Sequence, residues 1–211
     1  SQVGSDKNRQ IARDAVKMSM VLLKNESNVL PLKKDKSITV VGSGANNLGM
    51  QNGGWTVEWQ GRSTPDFKIL DNNSDGKLNL DEVTSHFKSA YDAKYDAGNV
   101  EGFFKNLDKD SNGDVNEDEF KKFITESPYQ PDGTSILKAL EEASDKEGLI
   151  TYDPRAENIS KGDVIVAVVG ENPYAEGIGD NPTIGLSSFD ATVLERCYNC
   201  LLYTSPSPRD S

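Results

Sequence analysis

The sequence predicts an α/β fold: an incomplete, mostly parallel sheet flanked by helices, interrupted by an all-α segment. Two observations carry this expectation. Short apolar runs at 37–41 (SITVV), 148–152 (GLITY) and 163–169 (DVIVAVV) alternate with segments of helical apolar period. Strands alternating with helices build parallel layers, and only about three strands can be counted. The second observation is compositional. Residues 64–132 hold 16 acidic and 8 basic side chains, whereas the rest of the chain holds 18 and 15. That stretch is an acidic compositional island, the first hint that it is an insert.

In chain order, RQIARDAVKMSMVLL at 9–23 places Ile11, Ala15, Met18, Val21 and Leu22 at helical spacing. Residues 24–31 are polar and turn-rich, and SITVV at 37–41 follows as a short buried strand. It runs into Gly42, Ser43 and Gly44, the start of a dinucleotide-binding fingerprint. The third glycine is lacking, because position 47 is Asn, and NLGMQNGGW is not expected to be helical. Residues 134–144 form a second amphipathic helix, the strands at 148–152 and 163–169 follow, and a last helix covers 187–197. His86, the only histidine, is expected at the surface, so no Ser-His-Asp triad can be assembled around it.

A net charge of −11 argues against nucleic acid and anionic membrane surfaces as partners. No apolar run approaches the roughly 20 residues of a membrane span. The chain does not begin with Met, so its natural start is expected upstream, and the lack of a leader carries no information on compartment. Cys197 and Cys200 alone define no disulfide framework.

Within the acidic island, DNNSDGKLNLDE (71–82) and DKDSNGDVNEDE (108–119) repeat one pattern of oxygen donors. A hard divalent cation takes six to eight oxygens, and a twelve-residue loop supplies them from positions 1, 3, 5, 7, 9 and 12 with glycine at 6. In the first loop these are Asp71, Asn73, Asp75, the Lys77 carbonyl, Asn79 and Glu82, with Gly76 at the turn. In the second they are Asp108, Asp110, Asn112, the Asp114 carbonyl, Asn116 and Glu119, with Gly113 at the turn. Leu78 and Val115 occupy the apolar eighth position, where paired loops meet through a short β-bridge. Phe67 and Phe104 precede the loops, and Phe87 and Phe123 follow them. A solvated acidic turn would use the same residue types, but two complete loops in tandem identify an EF-hand pair, expected to bind two Ca²⁺ ions.

Two further segments carry chemistry. ANNLGMQNGGWTVEWQG (45–61) sets Trp55 and Trp59 in a frame of glycines and polar residues. Indole faces suit the apolar faces of sugar rings, and glycines let a ligand approach the backbone; equally, both could be core residues. VGENPYAEGIGDN (169–181) follows a buried parallel strand, where open α/β sheets place ligand-contacting loops. It offers Glu171, Glu176 and Asp180, any of which could be a general acid or a solvated carboxylate.

DAVKMSMVLLKN, LPL, VVGSGANNLGMQNGGWTVEWQG, TSILKAL and VVGENPYAEGIGDN together resemble the α/β-sandwich domain of family-3 glycoside hydrolases, in its exo-β-glucanase and β-glucosidase branch. The resemblance spans most of 9–61 and 133–197. It implies that Glu176 is the general acid/base, that Trp59 lines the sugar cleft and that Trp55 supports it. It also implies a nucleophilic aspartate on a preceding barrel domain that this chain does not contain. A retaining glycosidase needs two carboxyl groups roughly 5 Å apart, so the chain alone is expected to be inactive. Its β-glucoside or β-glucan substrate would be met only together with the barrel. Enzymes of this branch are often secreted or periplasmic.

The expected organisation is therefore 1–62 as the first part of the α/β-sandwich domain, 63–132 as an inserted EF-hand pair, and 133–199 as the truncated continuation. CLLYTSPSPRD at 200–210 resembles the translation of a sequencing adapter, so 200–211 is expected to lie outside the natural protein; a Ser/Pro-rich tail is the alternative. A different reading of the whole chain is a calcium sensor or buffer with non-catalytic α/β flanks. In the enzyme reading, ordering of the insert would hold Trp59 in place.

Overall fold

The structure is a computed structural model and describes residues 3–91, 97–127, 133–159, 164–177, 179–180 and 184–202. It divides into two compact units, Ser1–Lys33 and Lys34–Ser211. The tail from 203 to 211, with Pro206 and Pro208, and the expected boundary at Asp132 lie outside the described residues.

In the first unit, α1 (Asp6–Ser19) is capped by Ser5, whose hydroxyl accepts from the Asn8 N–H at 3.4 Å. The helix expected over 9–23 stops earlier, at Ser19, where Met20 turns extended (φ −71°, ψ 136°). No residue of α1 is buried, and Met18, Met20, Val21, Leu22 and Leu23 are all exposed.

The second unit is built on a three-stranded parallel sheet of order β4–β1–β5, with β1 at Ile38–Val41, β4 at Ile150–Tyr152 and β5 at Val164–Ala167. All four residues of β1 are buried, as a central parallel strand covered on both faces requires. Behind the sheet, α8 (Ser188–Leu202) packs Phe189, Val193 and Cys197 against Val41 and Ala156. The expected 187–197 helix therefore continues through Cys200. The short α2 (Leu48–Asn52) forms where no helix was expected: Asn47 caps it by accepting from the Met50 N–H at 3.0 Å. The helix α7 (Ile136–Ala143) is capped in the same way by Ser135.

Between α2 and α7 lie two helix–loop–helix units. The first joins α3 (Phe67–Leu70) to α4 (Leu80–Tyr91), the second α5 (Ala97–Leu107) to α6 (Glu117–Glu126). Their loops meet in an antiparallel bridge of β2 (Lys77–Leu78) with β3 (Val115–Asn116), pairing Leu78 with Val115. They share a core of Phe67, Leu70, Leu78, Val83, Val100, Phe104, Leu107, Val115 and Phe120, with Phe87 and Phe123 packed at its margin.

This helical segment is not a pendant. Phe67 and Leu70 of α3 face its own core, but Ile69 between them is buried with Val41 and Phe189 in the core of the α/β layer. Arg155 Nη1 donates to the Ile69 carbonyl (3.0 Å), and α4 packs along α8. At its base, Arg62 Nη1 donates to Ser127 Oγ (3.0 Å). His86 on α4 corrects the surface placement expected for it. It is only 9% exposed, with its ring edge-on to Phe87 and Phe189. The reason is the docking itself, since the outer face of α4 is covered by α8. Among the described residues, no helix is long and apolar enough to cross a membrane.

Candidate functional site

Parallel pairing places the loops after β1 and β5 side by side at the carboxyl edge of the sheet. Gly44 N–H donates to the Val168 carbonyl (3.0 Å), and a Cβ at Gly42 would lie 2.2 Å from that same oxygen. Here a side chain is excluded by the close approach of the two backbones.

The junction is held by Asp190, which sequence reasoning missed. It is completely buried in the first turn of α8, and its carboxylate accepts from Ser43 N–H (3.1 Å), Ser43 Oγ (2.6 Å) and Gly170 N–H (3.4 Å). One carboxylate thus ties both loops to one helix. The signal was Ser187-x-x-Asp190, the spacing of a helix-capping box, and Ser187 Oγ does accept from the Asp190 N–H (3.2 Å).

Further out, the tryptophan segment and the 169–177 loop are joined by Gln60. Its Nε2 donates to the Glu176 carbonyl (3.1 Å), and its Oε1 accepts from the Ala175 N–H (2.9 Å). A Cβ on Gly54 would fall 1.9 Å from the Tyr174 carbonyl oxygen, and one on Gly61 would fall 2.5 Å from Pro173 Cβ. Glycine at both positions is what lets the segments touch. Trp55 N–H donates to the Trp59 carbonyl (2.8 Å), and the two indoles meet edge to face with centroids 5.9 Å apart. Trp55 is 67% exposed and Trp59 47%, which excludes the core reading of both.

Of the loop carboxylates, Glu171 accepts from Tyr174 Oη (2.7 Å), and this hydrogen bond and charge raise the Tyr174 phenol above its ordinary pKa. Asp180 is exposed. The Glu176 side chain is exposed and has no hydrogen-bond or ion-pair partner among the described residues. Through Gln60 the backbone of its loop is tied to the segment that carries the two exposed indoles.

The second cluster is the pair of acidic loops. In the first, Asp71 accepts from Asp75 N–H (3.2 Å) and Gly76 N–H (3.0 Å), and Asp75 from Lys77 N–H (2.9 Å). Glu82 is buried, and its two oxygens accept from Asn72 N–H (3.1 Å) and Asn79 N–H (3.1 Å), closing the loop. In the second loop, Asp108 accepts from Asn112 N–H (3.1 Å) and Gly113 N–H (3.0 Å). Asn116 caps α6 in a reciprocal pair with Glu119. Gly76 and Gly113 have φ of 81° and 92°, the left-handed turn that glycine permits. Carboxylate oxygens of Asp108, Asp110 and Glu119 lie within 4.8 Å of one another.

Residues 20–201 match the family model of the glycosyl hydrolase family 3 C-terminal domain. The chain is 23% identical over 197 residues to a lysosomal beta glucosidase of Dictyostelium discoideum. That alignment takes in 92% of this chain and 18% of the relative. A 44-residue stretch is 50% identical to a probable beta-glucosidase I of Aspergillus clavatus, covering 21% of this chain and 5% of that protein. Among solved structures, an exo-1,3/1,4-beta-glucanase from Pseudoalteromonas sp. aligns with a TM-score of 0.57 at 27% identity. It takes in 96% of this chain and 18% of the glucanase. The chain thus spans about a fifth of the length of these relatives, and it belongs to glycosyl hydrolase family 3, whose C-terminal domain it carries.

Proposed function

We propose that this chain is the acid/base half of a retaining β-glucosidase or exo-β-glucanase, with Glu176 as the proton-transfer group and Trp59 and Trp55 as the sugar platform. The observation that carries the reading is the Gln60 bridge, which holds the Glu176 backbone against the tryptophan segment. In the proposed reaction the Glu176 carboxyl protonates the departing glycosidic oxygen while a carboxylate from the preceding domain attacks the anomeric carbon. Glu176 then removes a proton from the water that releases the sugar. The second carboxylate belongs to the barrel domain implied by the resemblance, so the 211-residue chain alone is expected to be inactive. In the full-length enzyme, Glu176→Gln should lower kcat on an aryl β-glucoside by about two to four orders of magnitude. Unchanged turnover would remove Glu176 from the mechanism.

We further infer that 63–132 is an inserted EF-hand pair that binds two Ca²⁺ ions, between α/β segments 1–62 and 133–199. The donors fit a hard cation. They are carboxylate, amide and carbonyl oxygens in the EF-hand spacing, with backbone N–H groups orienting the carboxylates of both loops. Asp71, Asn73, Asp75, Lys77 (carbonyl), Asn79 and Glu82 would hold one ion. Asp108, Asp110, Asn112, Asp114 (carbonyl), Asn116 and Glu119 would hold the other. Bound cations would offset the acidic charge of the segment and serve as a clamp rather than a switch. Calorimetric titration with CaCl₂ should report two sites, with Glu82→Gln and Glu119→Gln each deleting one. No binding heat up to about millimolar calcium, the weak end of such sites, would sink this reading.

A further inference from the structure

We propose that Asn172 is a positioning residue that couples the loop carrying Glu176 to the acidic loop 71–82 through α4. The proposal rests on the calcium and Glu176 readings above. Three ties of the 169–177 loop among the described residues bear on this coupling. Gly170 N–H is held by Asp190 and Ala175 N–H by Gln60, both from the α/β layer. At the third, Asn172 Nδ2 donates to the carbonyl of Ala90 at the far end of α4 (3.2 Å). This grip comes from the helical segment.

The other end of α4 carries Glu82, the twelfth-position donor, in its first turn. Its carboxylate bonds to backbone N–H groups on both arms of the loop, so the loop and the helix start move as one. A helix of 12 residues is about 18 Å long and transmits displacement along its axis. The last carbonyls of a helix have no partner within it. Here two of them are taken up from outside, Ala90 by Asn172 and Ser89 by Ser188 Oγ (2.9 Å). The second tie fastens α4 to the N-terminus of α8, two residues before Asp190. Between the ends, the His86 ring abuts Phe189 at 5.8 Å. The path is a contiguous run of packed and hydrogen-bonded groups. It differs from a link through Trp59, because it enters the Glu176 loop from the exit helix and not from the chain leading into the segment.

If Asn172 couples the two loops, a ligand that orders 71–82 must restrain 169–177, and by reciprocity the restraint must strengthen binding at 71–82. The test uses the 211-residue chain, with CaCl₂ or chelator, read by calorimetry and by hydrogen exchange resolved to peptides. In the wild type, calcium should slow exchange in 169–177 as well as in 71–82. Asn172→Ala should abolish the calcium response of 169–177 and leave that of 71–82, which also reports that the variant is folded. Calcium binding at the first site should weaken on the order of fivefold. Asn172→Gln, which keeps the amide donor, should restore part of the response, and Asn172→Asp, which cannot donate to the carbonyl, should not. Calcium bound without any change at 169–177, or a wild-type response in Asn172→Ala, overturns the coupling and leaves the calcium reading standing. No binding heat at all overturns both.

Discussion

At the residue scale, the site is shaped by side chains that are absent as much as by those present. Gly54 has no side chain because the Tyr174 carbonyl occupies the place of its Cβ at 1.9 Å. Gly54→Ala must push the Glu176 loop away from the tryptophans, and should destabilise the chain by about 1–3 kcal/mol in urea denaturation. Gly102, in mid-α5 with nothing within 4 Å, is the control. There Ala should stabilise by up to about 1 kcal/mol through helix propensity. Equal effects of the two substitutions would mean that the contact at Gly54 does not hold the segments together. Asp190 makes the complementary point. It is buried, and three hydrogen bonds to its carboxylate from described residues stand in for solvent.

At the element scale, the decisive contact is α4 on α8, and His86 reports on it. Burial first, and the nearby positive charge of Arg155 second, push its pKa down from 6.5 to about 4. The unfolded chain therefore binds this proton more readily than the folded one, so stability falls as pH drops below about 6.5 and levels off below about 4. Above 6.5 both states are neutral and the residue contributes no pH dependence. The loss amounts to at most about 3 kcal/mol across that window. His86→Gln should flatten this limb of a Tm-against-pH curve, while an unchanged acid limb would show that other groups set it. Nothing in the local sequence around His86 announced its burial. Helical spacing identified α4, but a helix with apolar residues on one face and His86, Ser85 and Ser89 on another reads as half solvated.

At the scale of the whole molecule, the strands, their parallel sense and the last two helices were legible, because buried parallel strands are continuous apolar runs and caps are local. The meeting of the 71–82 and 108–119 loops was equally legible, since the two stretches repeat one local pattern and Leu78 pairs with Val115 as their spacing implies. The shorter reach of α1 and the formation of α2 were not, since the apolar spacing runs on past Ser19, where the helix stops, and α2 starts on the single Asn47 cap. By itself the sequence determined the α/β class, the family resemblance and the candidate residues Glu176, Trp55 and Trp59, all of which are matters of local pattern. Only the tertiary structure decided that Gln60 and Asp190 bring the tryptophan and Glu176 segments together. It alone also decided that the acidic helical segment is wedged onto α8 through Ile69 and His86. These contacts join residues far apart in the chain, and their partners are chosen by which surfaces meet on folding, which no periodicity records.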